Sequence, residues 1–303
     1  MAEPTVRLVH FSDVHLTARR LGWRRHDFAP KRLTGWVNVK LLGRGRRFKH
    51  ASVAVAAMMR DVRARSPDGL VFTGDATKLA FAAEFAAASG QLGVGDAELP
   101  PAVAVPGNHD YYTTEAAVAG QFEASFRPWQ VGVRLDGEAY PFARKVGHVW
   151  LIAVNSATPN RFHLDASGEV GPAQLDRLRR LCDALDGGVR VVVTHYPLRT
   201  ETGSLEKRLR VLRDHEAAAK TATACGVSLW LHGHIHRAFV RGATADVPFP
   251  MVCAGSCTQT GRWSYHEYAV TGRHLLGVRR TYAPADDAFR ESDRFSVLLP
   301  GVT

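Results

Sequence analysis

Val6-Arg7-Leu8-Val9-His10-Phe11-Ser12-Asp13-Val14-His15 is the stretch on which the reading of this chain turns. A strand-like apolar run leads directly into Ser, Asp and His, which are weak strand formers but capable ligands. The signature recurs. Residues 70–73 run into Gly74-Asp75, and 102–105 into Pro106-Gly107-Asn108-His109-Asp110. Residues 189–193 run into Thr194-His195-Tyr196-Pro197, and 227–231 into His232-Gly233-His234-Ile235-His236. A further strand is predicted at 149–154. Helices are predicted at 51–65, 79–89, 115–126, 172–185 and 205–224. Within 79–89, Ala and Phe dominate, β-branched residues are absent, and Gly90 supplies a stop. From 239 onward the pattern turns to short strands and turns, with 297–299 closing the chain. Short apolar strands alternating with helices predict an α/β fold. In open α/β sheets ligands gather beyond the carboxyl ends of the strands, so five polar clusters should meet in one place.

Composition sets the frame. The 303 residues are 46% hydrophobic and 22% charged, as in an ordinary soluble globular protein. The longest apolar stretch, 51–59, is interrupted by Ser52 and too short to span a bilayer. Residues 1–5 lead into the first strand with no separate apolar segment of a signal peptide. Cys182, Cys225, Cys253 and Cys257 form no disulfide framework and read as buried, reduced thiols. These features predict a cytoplasmic protein. Without internal repeats or a low-complexity linker, residues 1–303 read as one domain.

Charge is uneven. The net charge is +10, and residues 19–49 hold eleven Lys and Arg against one acid, Asp27. The rest of the chain holds 28 basic and 28 acidic residues, so the whole excess sits in one segment. That is a local anion- or surface-binding feature.

Asp13 and His15 stand two apart on what reads as an extended segment, which sends both side chains to one face. His234 and His236 repeat the spacing. With Asp75, Asn108 and His195 they offer four imidazoles, two carboxylates and an amide oxygen. Seven ligands exceed one tetrahedral ion but suit two ions sharing a bridging group, for which Asp75 is the natural candidate. The mixed nitrogen and oxygen set favours Mn, then Fe, Zn or Co, over Ca or Mg. A lone His195 is more often a hydrogen-bonded structural histidine; at a strand end within this ordered set it reads as a ligand.

Asp-x-His, Gly-Asp, Gly-Asn-His-Asp, a His before Pro and Gly-His-x-His, in this order from 13 to 236, resemble the calcineurin-like metallophosphoesterases. The resemblance implies a four-layer α/β/β/α sandwich. It also implies one metal held by Asp13, His15, Asp75 and His236, and a second by Asp75, Asn108, His195 and His234. Two ions roughly 4 Å apart activate a bridging hydroxide that attacks phosphorus directly. By the same resemblance His109 faces the leaving group as general acid or charge stabiliser. Many relatives read Gly-Asp-x-x-Asp, whose last acid orients that histidine. Here Lys78 occupies the place, which leaves Asp110, another acid, or no acid at all to orient His109.

The segment 19–49 reads as an insert, with a helix over 31–44 after Pro30. Leu33, Trp36, Val37 and Leu41 fall on one stripe, with Lys31, Arg32, Lys40 and Arg44 around it and Trp23, Arg24, Arg25 and Phe28 before it. Three readings follow. The stripe packs on the body as a lid, or it faces an anionic membrane surface and admits an acylated phosphate substrate. In the third reading the basic segment grips nucleic acid. The second theme resembles the UDP-2,3-diacylglucosamine pyrophosphatases of lipid A synthesis, and it places the protein peripherally at the inner face of a membrane. It ranks above a cyclic-nucleotide or other soluble phosphodiesterase or phosphatase. A metal-free protein-binding scaffold ranks last, because every ligand is retained. The sequence gives no oligomeric state.

Overall fold

Strands buried on both faces need apolar side chains at every position, and the segments Gly69–Phe72 and Val149–Ala153 are buried throughout. The computed structural model describes residues 4–41, 43–160, 162 and 164–301. Its first half contains β1 (Thr5–Phe11), α1 (Pro30–Lys40), α2 (Ala51–Arg65), β2 (Gly69–Phe72), α3 (Ala82–Gln91), β3 (Ala102–Ala104), α4 (Thr114–Val118) and α5 (Gln121–Ser125). Next come β4 (Val133–Arg134), β5 (Phe142–Val146), β6 (Val149–Ala153), α6 (Pro172–Ala184), β7 (Val189–Val193), α7 (His215–Ala224) and β8 (Leu229–His232). The chain finishes with β9 (Phe239–Arg241), β10 (Met251–Cys253), β11 (Ser264–Thr271), β12 (His274–Ala283) and β13 (Ala288–Leu298).

Two sheets form, in the orders β13-β12-β11-β1-β2-β3 and β4-β5-β6-β7-β8-β10-β9. Their inner faces share one apolar layer that includes Leu8, Val71, Val103, Leu151, Val191 and Leu231. Val55, Met58 and Phe85 of the helices cover the outer face of the first sheet with Phe72, and Leu178, Leu181 and Ala222 cover the second with Ile152. The result is the expected α/β/β/α arrangement. β1, β2 and β3 run parallel, as do β6, β7 and β8, so their carboxyl ends share an edge.

Several elements differ from expectation. The helix predicted over 115–126 breaks into α4 and α5 at Gly120, whose φ of 58° cannot continue a right-handed helix. Of 205–224 only His215–Ala224 is helical. The preceding turns bond instead to the 166–168 loop, through Ala166 N–H to Leu209 O and Gly168 N–H to Val211 O. Helix α3 starts at Ala82 because Glu84 accepts the N–H groups of Leu79 and Phe81. The C-terminal region holds three long antiparallel strands, β11 to β13, where short strands were expected, and 297–299 is only the end of that meander.

The insert is a correction in detail. Its helix ends at Lys40, and a 3-10 turn, Arg44–Phe48, follows; the Arg44 side chain lies outside the described residues. Arg32, expected on a basic surface, is buried: its guanidinium donates to Leu79 O (3.1 Å) and Ala80 O (2.9 Å) and pairs with Asp27. Trp23 packs against Phe81 (4.8 Å between centroids), Phe28 and Trp36. With Trp36 turned to that cluster, Leu33, Val37 and Leu41 face solvent at 38%, 38% and 72% exposure. A guanidinium left without acceptors in the interior would cost more than exposing three aliphatic side chains, so acceptor supply sets the rotation of α1. No helix among the described residues is long and apolar enough to cross a membrane.

Arg32→Ala removes the buried guanidinium that pairs with Asp27 and frees two carbonyls, and is expected to cost about 3 kcal/mol. Limited proteolysis should then cut within 19–49 before the body unfolds; an unchanged cleavage pattern would show that Arg32 is not the anchor.

Candidate metal centre

The loops leaving β1, β2 and β8 turn sharply, and the residues at the turns are the predicted ligands. Asp13, His15, Asp75, His234 and His236 all have positive φ, between 41° and 69°. This corrects the extended geometry expected of Asp13-x-His15 and His234-x-His236. β1 ends at Phe11 and β8 at His232, and each ligand lies beyond in the left-handed region. Non-glycine residues there cost on the order of 1–3 kcal/mol each. Neighbouring loops hold them in place: Asp13 N–H donates to Gly74 O and His15 N–H to Asp75 O, both at 2.9 Å. Ser256 and Thr258 hydroxyls donate to Asp13 O. Gly107 lets the third loop approach, since a Cβ there would overlap the Asp75 carboxylate.

All seven residues converge. Donor atoms of Asp13, His15, Asp75 and His236 lie within 4.8 Å of one another. The Asn108 Oδ1 lies 3.3 Å from His195 Nε2 and 3.1 Å from His234 Nδ1. Asp75 Oδ2 stands between the two groups, 3.5 Å from both His15 Nε2 and His195 Nε2.

The far nitrogen of each imidazole faces a protein oxygen. His15 Nδ1 meets Thr77 O (3.2 Å), His195 Nδ1 meets Thr73 O (2.6 Å), His236 Nδ1 meets Gln259 Oε1 (2.6 Å) and His234 Nε2 meets Arg210 O (3.0 Å). Each acceptor can take an outward N–H, which leaves the inward nitrogen of that ring available to a cation; His236 is the exception in charge, its imidazole pushed up, against its burial, by the Asp13 carboxylate. His15 Nε2 and His236 Nε2 lie 3.0 Å apart. Asp13 Oδ1 is buried and makes no hydrogen bond, although His236 Nε2 is 3.0 Å away. Inward lone pairs around a buried, unsatisfied carboxylate oxygen fit divalent cations.

Electrostatics agrees. Burial, then the nearby Asp13 and Asp110 carboxylates, push the Asp75 carboxyl well up. Burial opposes ionisation of Asp13 too, but the facing imidazoles of His236 and His15 hold it well below the usual range. Burial keeps His195 and His234 neutral, which is the ligand form.

His109 sits beside the cluster, its ring edge-on to His15 at 4.8 Å and stacked on Tyr112 at 5.6 Å. Its Nδ1 meets the backbone oxygen of Lys78 at 2.6 Å. Asp110 lies beneath, fully buried, and accepts from the N–H groups of Ala76, Thr77 and Gly107 at 3.0–3.1 Å. Sequence spacing gave no sign of Gln259, which orients His236, or of Phe48, whose ring packs 4.6 Å from His15. A cavity of 480 Å³ opens over the cluster, lined by Asp75, Asn108, His109, His234 and His236 and, on the insert side, by Lys31, Thr34 and Asn38. Trp23, Arg24, Arg25, Arg32, Trp36 and Lys40 do not line it.

Asp75→Asn and His236→Ala should each lower the stoichiometry of tightly bound divalent metal while leaving the circular dichroism spectrum near native. Full metal content in both after gel filtration would reject this cluster as the centre.

A sequence model described as calcineurin-like phosphoesterase matches residues 6–238. No protein of curated function matches the chain by sequence. Among solved structures, a dimetal phosphatase from Danio rerio superposes with a TM-score of 0.65 at 11% identity, over 97% of this chain and 98% of that one. A purple acid phosphatase from yellow lupin (Lupinus luteus) gives 0.63 at 12% identity, over 98% of this chain and 54% of that one. At these identities the likeness concerns the fold alone.

Proposed function

This chain belongs to the calcineurin-like phosphoesterase family, and from that membership we propose that it hydrolyses an amphipathic phosphoester with two divalent ions, Mn first among them. The observation that carries the reading is the Asp75 carboxylate, equidistant from the two ligand groups. Asp13, His15, Asp75 and His236 would hold one ion, and Asp75, Asn108, His195 and His234 the other. When bound, the ions acidify a water to a pKa of about 7 and neutralise charge on the phosphoryl oxygens.

The chain's own residues do the rest. Oxygen from water bonds to phosphorus as the bond to the leaving oxygen breaks. His109, as imidazolium, gives the Nε2 proton to that oxygen and ends as the tautomer whose Nδ1–H points at Lys78 O. A backbone carbonyl thus takes the place of the acid that relatives carry at position 78. Asp110 positions the loop through its three N–H contacts, at one remove from substrate.

The favoured substrate is a nucleotide-linked lipid such as UDP-2,3-diacylglucosamine, cleaved at its pyrophosphate and met at an anionic membrane surface. Helix α1 supports this: it offers Lys31, Thr34 and Asn38 to the cavity and Leu33, Val37 and Leu41 to solvent, within a segment of eleven basic residues. A cytoplasmic site peripheral to that membrane follows. Nucleic acid has less support, because Trp23 packs its ring against Phe81, Phe28 and Trp36 and is not left open for bases. The shared inner layer supports treating 1–303 as one domain with 19–49 as its cap. The runner-up is a soluble phosphodiesterase.

His109→Ala should lower kcat by about 10²–10³-fold with metal content unchanged; loss of both ions would mean that it is a ligand. For the substrate, UDP-2,3-diacylglucosamine in anionic vesicles, a cyclic nucleotide and an aryl phosphodiester can be compared under Mn. The lipid should give the highest kcat/KM, and Leu33→Asp/Val37→Asp should depress only vesicle-borne turnover. Exclusive turnover of the cyclic nucleotide would sink the lipid reading.

A further inference from the structure

Four cationic side chains line the cavity: Lys31, Arg47, Arg210 and Arg262. Two are already engaged. Lys31 Nζ donates to Asn160 O at 2.8 Å, and Arg210 bonds to Glu206 (3.2 Å) and to His234 O (3.2 Å). The other two, among the described residues, have no carboxylate partner. The fold nevertheless places their backbones in adjoining turns. Arg47 lies in the 3-10 turn Arg44–Phe48, and its carbonyl accepts the N–H of Thr260 at 2.7 Å. Arg262 N–H closes the same turn onto Gln259 O at 2.9 Å.

Both residues are tied to the Asp13 half of the cluster. Gln259 orients His236, and Phe48, next to Arg47, packs on His15 (4.6 Å) and His236 (5.9 Å). The cavity's carboxylates do not offset them. Asp75 faces the ligand imidazoles, and Asp165 accepts from Ser167 N–H (2.9 Å) and Oγ (2.6 Å). Two guanidiniums that line one cavity without a carboxylate partner leave positive charge there for an anion to neutralise. A guanidinium pairs bidentately with phosphate.

We propose that Arg47 and Arg262 form a second anion subsite, which holds a phosphate that is not cleaved while its neighbour is attacked at the metals. The substrate class narrows to phosphoric anhydrides and closely bisphosphorylated esters. This rests on the phosphoester reading above, but it can fail or stand separately.

Calorimetry on the full-length, metal-loaded protein separates the two, with methylenebisphosphonate as a two-phosphorus probe and methylphosphonate as a one-phosphorus probe. Arg47→Ala/Arg262→Ala should weaken the first about tenfold more than the second. Kinetically, the ratio of kcat/KM for UDP-N-acetylglucosamine to that for a nucleoside p-nitrophenyl phosphate should fall by a similar factor, with Arg47→Lys/Arg262→Lys recovering part of it. Equal weakening of both probes, or no weakening, overturns the subsite. A wild-type protein that hydrolyses neither substrate yet shows the selective loss of binding keeps the subsite and refutes the hydrolytic reading.

Discussion

Two buried carboxylates, Asp13 and Asp75, meet four imidazoles, three of them buried, and each ring turns one nitrogen toward the cluster and the other toward a protein oxygen. Such a group of lone pairs repels itself in a medium of low dielectric. A proton on an inward nitrogen relieves it only in part while the outward hydrogen bond stays, as at His236, whose imidazole is pushed up, against its burial, by the Asp13 carboxylate. Positive charge among the donors relieves it without moving anything. The surrounding structure is organised around that requirement, from the carbonyls of Thr73, Thr77 and Arg210 to the amide oxygen of Gln259.

The backbone bears the corresponding cost. Five of the seven predicted ligands occupy a conformation that residues with a Cβ avoid, and they persist because the loops are bonded to each other across the sheet edge. The parallel strands β1, β2 and β3, and β6, β7 and β8, end along one edge, so the loops meet at short range. The paired sheets supply the rigidity, since their shared layer is apolar and fully buried at Leu8, Val71, Val103, Val191 and Leu231. The strain is local and the stability is distributed.

The sequence was legible where chemistry and position coincide. Apolar runs ending in Asp, His or Asn marked strand ends and the residues that converge beyond them together, because few other demands place those residues there. It was less legible where a contact is made by backbone. The oxygen of Lys78 that orients His109 carries no residue identity, so reading position 78 by its side chain pointed away from the answer. The turns at 205–214 are helix-forming by composition but bond to 166–168, a partner no local pattern reveals. The outward face of α1 was hidden for a related reason: periodicity alone could not say that Arg32 would find acceptors inside. Gln259 lies 23 positions from the ring it orients, with no ligand-like spacing to mark it.

The attachment of α1 has a wider consequence. Arg32 binds the carbonyls of Leu79 and Ala80, and the very next carbonyl toward the N-terminus, that of Lys78, aligns His109. Three successive peptide units thus serve both the appended helix and His109. The helix is therefore no detachable accessory: removing it would release the guanidinium clasp from the two peptides that adjoin the carbonyl facing His109.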